Sequence, residues 1–368
     1  MKRNIICCLM IVFMFTGCAQ NFLSFDELHQ GNGVVVTDDN TNNTPDPEEQ
    51  PQSEPANKPS SKPSQPVVNN VGEGLTITHS GNEICFDTDG EYLTVKGNYN
   101  DGINSFLSVI FDKNGQDMRK IDVSNKTFDS KFEIPQSNGE VLVELYAGEQ
   151  EYGYYESIII DFIRLEKTNG KWEIMQSPIY DWNVSLFNKP RVPDEFLSAN
   201  ERIQSDDSEI IKLAKDITSG VSDDMGKAKA IHDWIAENIY YDMDVFMSGT
   251  YGDMDAISVL KTKKSVCEGY ANLYAALARC CGIPCRVQGG FALGIGETPE
   301  WTPANVQTTQ SNHAWNEVYI DGRWILVDST WDSPNKYQNG QYEKGKTIKH
   351  IFFDSTMEFF SLSHKLID

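Results

Sequence analysis

The chain has 368 residues, with 54 acidic against 31 basic side chains and a formal net charge of −23. Phosphate binding needs clustered Lys and Arg, so this balance argues against nucleic acid as a partner and against electrostatic adhesion to anionic lipid. The length is enough for two ordinary domains and a tail. Of the eight cysteines, Cys7, Cys8 and Cys18 fall at the start, which leaves Cys85, Cys267, Cys280, Cys281 and Cys285. An odd number at irregular spacing does not make a disulfide framework, and Cys280, Cys281 and Cys285 read as small buried residues.

Residues 1–17 read as an export signal: Lys2 and Arg3, then the apolar run Ile5 to Phe15. The run is too short for a membrane-spanning helix, which needs roughly 20 residues. It ends on Phe15-Thr16-Gly17-Cys18, which resembles the bacterial lipobox. That resemblance implies lipid attachment at Cys18 and an extracytoplasmic protein anchored to the cell membrane. An ordinary cleaved signal is the alternative, and it too implies export. Two or more acyl chains would hold the protein stably.

Residues 18–72 are poor in core-forming side chains and rich in Pro, Asn, Ser and acids. Such a stretch reads as an extended stalk, with a reach of more than roughly 100 Å at polyproline rise. Over 73–185, short apolar runs such as Tyr92–Lys96, Phe106–Phe111, Val141–Leu145 and Ile158–Ile160 alternate with turn signals at Ser80-Gly81, Asp89-Gly90, Lys113-Asn114-Gly115 and Asn169-Gly170. This pattern predicts an antiparallel β-sandwich-like domain. No catalytic constellation falls within it.

From 186 to 368 the pattern changes. Glu209–Ile217 predicts a helix, and Asp224–Ile239 a stronger one with Ala228, Ile231, Trp234, Ile235 and Ile239 on one stripe. His232, beside that stripe, reads as a surface residue. Ser265 followed by Glu268 matches a capping box, which puts the next helix N-cap at Ser265 and Cys267 at its second position. Gly282 and Pro284 end that helix. Free amides and the dipole at a helix start favour thiolate, the reactive form. Gly269 inside the helix suggests a close approach by a neighbouring group.

Downstream, two strand-like runs are joined by Asp321-Gly322, a strong hairpin signal. With this pair as the loop, Ile320 pairs with Arg323 and His313 faces Thr330. Asp328 then shares the face of His313 as its diagonal neighbour, within reach of a side chain. Asp332 has the same parity and is a rival. An imidazole beside a carboxylate is what a thiol nucleophile needs: a base that later acts as acid, and a group that orients it.

Val266-Cys267-Glu268-Gly269-Tyr270-Ala271, Cys281-Gly282-Ile283-Pro284, Asn312-His313-Ala314-Trp315-Asn316 and Trp324–Trp331 together resemble the core motifs of the microbial transglutaminase-like superfamily. Ala230–Ile235 and Ile239–Asp242 fit as well, and the resemblance covers roughly 195–368. It implies an α+β, papain-like fold and a catalytic triad of Cys267, His313 and Asp328. It implies no cofactor and no metal, and the sequence has no EF-hand loop or His-Glu-x-x-His motif. In cross-linking relatives an aromatic residue upstream of the cysteine completes the oxyanion site, and Tyr251 is the candidate here. The expected activity is acyl transfer on amide bonds of peptides or proteins, cell-envelope peptides among them, by a monomer. Hydrolysis is favoured over cross-linking. An inert surface-binding lipoprotein is the alternative.

Overall fold

The computed structural model describes residues 74–100, 106–111, 117–137, 139–148, 155–157, 163–294 and 300–368. The export signal, Cys18, the stalk, the Ile158–Ile160 run and the Lys113-Asn114-Gly115 turn lie outside the described residues.

Eleven strands lead the described chain: β1 (Leu75–His79), β2 (Asn82–Thr88), β3 (Tyr92–Asn98), β4 (Phe106–Ile110), β5 (Met118–Ile121), β6 (Val123–Ser124), β7 (Thr127–Glu133), β8 (Glu140–Gly148), β9 (Tyr155–Ser157), β10 (Ile163–Thr168) and β11 (Lys171–Met175). They form two antiparallel sheets, ordered β1-β2-β3-β7-β6 and β11-β10-β8-β4-β5, with β9 paired to β8. Two of the turn signals act as read. Ser80-Gly81 and Asn169-Gly170 both hold positive φ at their two central positions, which gives the twist a two-residue hairpin needs. Side chains alternate along the strands. Ile77, Ile84, Phe86, Leu93 and Val95 of the first sheet share one apolar cluster with Val109, Val143, Leu145 and Leu165 of the second.

The second half begins with helix α1 (Tyr180–Phe187), which crosses residues 185 and 186. Helices α2 (Ser208–Ile217) and α3 (Asp224–Asn238) follow, each started by an aspartate side chain, Asp207 and Asp223, that accepts from a first-turn amide. Next come β12 (Tyr240–Asp242), α4 (Met243–Ser248), α5 (Ala256–Thr262), β13 (Lys264–Ser265) and α6 (Cys267–Cys280). The chain then forms β14 (Cys285–Ala292), α7 (Pro303–Gln307), β15 (His313–Ile320), β16 (Arg323–Val327), α8 (Ser329–Asp332), β17 (Lys336–Gln338), β18 (Gln341–Glu343), α9 (Met357–Phe360) and β19 (His364–Leu366).

Helix α6 packs on a four-stranded antiparallel sheet ordered β16-β15-β14-β19. Tyr270, Leu273, Tyr274 and Leu277 of α6 share a core with Val318, Ile320, Ile325 and Val327 of the sheet. The hairpin register is the predicted one, from Ile320 opposite Arg323 to Asn316 opposite Val327. Asp321 and Gly322 both take positive φ. On the other face of the sheet, Trp315 and Leu326 join the apolar cluster of the first half. The two halves are tied there by Ser80 N–H donating to Phe353 O (2.8 Å) and Thr356 N–H donating to Thr78 O (2.8 Å).

Candidate active site

Helix α6 starts one residue later than the capping box implied. Its N-cap is Val266, with no side-chain cap, so Cys267 is the first helical residue rather than the second. Ser265 is part of β13, paired in parallel with Tyr241 of β12, and Glu268 instead bonds Arg202 at 2.9 Å. A pairing strand makes better use of Ser265's backbone than a cap would. Cys267 keeps an amide without a helical partner at its own position, and its side chain is half-buried.

Gly269 explains the tight join of β13 and α6. A Cβ there would lie 2.0 Å from Ser265 Oγ and 2.7 Å from Val259 Cγ2 of α5. Gly→Ala inside a helix ordinarily gains up to about 1 kcal/mol. Gly269→Ala should instead lose about 1–3 kcal/mol through overpacking and displace the Cys267 turn. Urea denaturation reads the first effect and Cys267 alkylation rates the second.

His313 opens β15 opposite Gly290 of β14. Its Nε2 lies 2.6 Å from Asp328 Oδ2, which leaves Nδ1 for other partners. Burial opposes the charged ring, but Asp328 and then Cys267 outweigh it, and the Cys267 side chain acts on the ring both as a charge and as a hydrogen-bond partner. The His313 pKa is pushed up to about 10 as a result. Burial works against the Asp328 carboxylate as well; His313 and His364 overcome it and hold the carboxyl well below its usual range.

The predicted facing of His313 and Thr330 does not occur. The strand ends at Val327, and Asp328 becomes the N-cap of α8, where Oδ1 accepts from Thr330 N–H (2.9 Å) and Trp331 N–H (3.2 Å). Asp328 therefore reaches His313 from a cap, with its second oxygen. Asp332 goes elsewhere. Its Oδ2 lies 3.0 Å from His232 Nε2, and its carboxylate accepts from the amides of Ile351 and Phe352.

His232 is fully buried, not a surface residue. It lies between Asp332 and Asp233, whose Oδ1 is 3.0 Å from Nδ1. Burial opposes its charge, but the two carboxylates prevail and raise its pKa. The stripe marked the apolar face of α3, but not the carboxylate that α8 brings against the residue beside it.

Tyr251 is half-buried on the loop between α4 and α5. Burial and then Cys267 raise its hydroxyl, so the phenol lies within electrostatic range of the thiol. Tyr241 of β12 is similarly placed: burial leads, then Cys267 and Tyr251, in pushing its hydroxyl up. Cys285 is buried and its thiol is pushed up to about 12 by burial. Cys280 and Cys281 are only half-buried, contrary to expectation, and all five described cysteines are free.

One residue was not read from the sequence. His364 of β19 is fully buried, its Nε2 3.2 Å from Asp328 Oδ2. No sequence spacing links it to the hairpin; only the pairing of β19 with β14 brings it there. Among the described residues, two groups, His313/Asp328/His364 and His232/Asp233/His350, gather metal-type ligand atoms within 4.8 Å of one another. The hydrogen bonds within each group account for that proximity.

Fold and site together define a domain class. Residues 211–329 match the model of the transglutaminase-like superfamily, so this part of the chain is a transglutaminase-like domain. Cys267, His313 and Asp328 all fall inside it. Kyphoscoliosis peptidase of Mus musculus is 35% identical over 127 residues, covering 33% of this chain and 18% of the relative. An uncharacterized protein of Haemophilus influenzae is 32% identical over 149 residues, covering 37% and 39%. The chain thus spans well under half of either relative. A solved chain from Cytophaga hutchinsonii is 18% identical, with a TM-score of 0.32 over 77% of this chain and 76% of its own.

Proposed function

We propose that this protein is a thiol-dependent enzyme acting on amide bonds of peptides or proteins, with Cys267 as nucleophile, His313 as base and acid, and Asp328 as orienter. One observation carries the reading. A half-buried cysteine at the head of a buried helix faces an imidazole whose far nitrogen is held by a buried carboxylate. The Cys267 thiolate attacks the amide carbonyl carbon. The C–N bond breaks as His313 protonates the leaving nitrogen, and a thioester remains. Water, deprotonated by His313, then attacks the thioester and releases acid and thiol. An incoming amine would give transamidation instead. Hydrolysis is favoured, and the name of the mouse relative, a peptidase, points the same way. The Cys267 amide and the Tyr251 hydroxyl are the proposed oxyanion donors. The first two sheets are read as a sandwich-like spacer, and Cys18 as a lipid anchor that holds the enzyme outside the cell membrane.

The test is iodoacetamide alkylation of the full-length protein across roughly pH 4 to 9, located by mass spectrometry. One site should react well below the ordinary thiol pKa of about 8.5, vanish in Cys267→Ala and move upward in His313→Ala. If Cys267 reacts no faster than an ordinary thiol, the enzyme reading fails and a surface-binding role replaces it.

A further inference from the structure

We propose that His364 is a positioning residue of this site: held neutral, it donates a second hydrogen bond to the oxygen of Asp328 that holds His313, and so keeps that carboxylate ionised and aimed. The inference rests on the reading of Cys267, His313 and Asp328 as the reacting set, and it adds a residue outside the matched domain segment 211–329.

Asp328 is fully buried, and an isolated buried carboxylate takes up a proton. Four donors oppose this: Thr330 N–H and Trp331 N–H at Oδ1, and His313 Nε2 (2.6 Å) and His364 Nε2 (3.2 Å) at Oδ2. The two amides belong to the α8 cap and the His313 contact belongs to catalysis. The His364 Nε2 contact belongs to neither the cap nor the reaction.

Its tautomer is fixed by its own neighbours. Ser363 Oγ lies 2.8 Å from His364 Nδ1. A serine hydroxyl donating there leaves the ring proton on Nε2, where it points at Asp328. The ring cannot easily turn away. It stacks on Phe360 at 4.2 Å between centroids and lies 4.2 Å from the Trp331 ring. Burial, only partly offset by Asp328, drives its pKa down to about 4, which agrees with a neutral donor over most of the pH range. A second imidazolium would compete with His313 for the carboxylate; a neutral N–H does not.

The titratable groups facing Asp328 are His313 from β15, His364 from β19 and Tyr241 from β12, with Cys267 of α6 beyond His313. Among these, removal of His364 alone withdraws a donor without removing the base or the nucleophile. A hydrogen bond to a charged group corresponds to roughly one to two pH units of carboxyl titration.

The experiment compares full-length wild type, His364→Phe and His364→Gln. Phe keeps the stacking and loses the donor; Gln offers an amide N–H in place of Nε2–H. The ¹³C signal of the Asp328 carboxyl is titrated by NMR, and the acid limb of Cys267 alkylation is recorded in parallel. His364→Phe should raise the Asp328 midpoint by about one to two units and move the alkylation limb the same way. His364→Gln should stay near wild type. A Phe variant whose carboxyl titration overlays wild type, or a Gln variant that shifts as far as Phe, overturns the proposal. If wild-type Cys267 proves an ordinary thiol, the functional reading falls instead, and the carboxyl titration still decides what His364 does to Asp328.

Discussion

Asp328→Asn should lower turnover of a peptide amide roughly 10³- to 10⁴-fold while the protein remains folded. Asparagine matches the shape, and its Oδ1 can still cap α8 by accepting from Thr330 and Trp331. Its amide group, however, then faces the Nε2 atoms of His313 and His364, where two donors now point at the oxygen. A donor set against two donors cannot persist. Flipping the amide relieves the histidines but turns the NH₂ on the two backbone amides of the cap. The lowest-cost escape is for His313 to release its Nε2 proton and carry it on Nδ1, the nitrogen a thiol base needs bare. Steady-state kinetics with Cys267→Ala as the baseline measure the loss.

The same substitution has a pH signature in stability. The Asp328 carboxyl is depressed in the folded state, so its contribution is present above the unfolded value of about 3.9 and is lost as pH falls through the lower folded value. His313 is raised, so its contribution is full below about 6.5 and is lost as pH climbs through about 10. The stability advantage of wild type over Asp328→Asn should therefore be broad between roughly pH 4 and 7 and shrink on both sides. A constant difference across pH would mean that the pair is not coupled to folding.

Much of this site was legible because strand register is arithmetic. Once Asp321-Gly322 is taken as a two-residue turn, the pairing from Ile320–Arg323 to Asn316–Val327 follows, and parity puts His313 and Asp328 on one side. The limit of that arithmetic was local. It ran on past Val327, where the Asp328 side chain stops the strand by capping α8. The capping box failed for a related reason. Ser265 had a competing backbone partner in Tyr241, which no window around the cysteine contains. His232 and His364 were missed because their partners, Asp332 and Asp328, lie 100 and 36 residues away along the chain. Neither contact is periodic, so only the packed fold could supply it. Gly269 went the other way: an unfavourable residue in a helix signalled a close approach, and the neighbours are Ser265 and Val259.

Arg191→Met should cost about 3–5 kcal/mol of stability without slowing Cys267 in the molecules that remain folded. Arg191 Nη1 bonds Glu317 Oε2; the Glu317 side chain is completely buried and that of Arg191 is 9% exposed. Arg286 approaches the same oxygen only at 3.7 Å. Burial, the leading influence, already raises the Glu317 carboxyl against the pull of Arg286 and Arg191. Removal of Arg191 leaves a buried charge with one distant counterion, the situation in which breaking a buried pair costs most. Methionine also gives up the stacking of the guanidinium over Trp324 (5.0 Å) and Phe187 (5.4 Å). Because Glu317 can escape the penalty by taking a proton, the deficit should narrow as pH falls and widen as it rises. The double variant Arg191→Met/Glu317→Leu removes both charges and should recover most of the loss. Urea midpoints of the four members of this cycle measure the coupling directly. Glu317 is in the same strand as His313 but four residues along it, so the damage is to the strand's hold on the sheet and not to the imidazole. If Arg191→Met instead lost alkylation and kept its urea midpoint, the ion pair would belong to the chemistry and not to the scaffold.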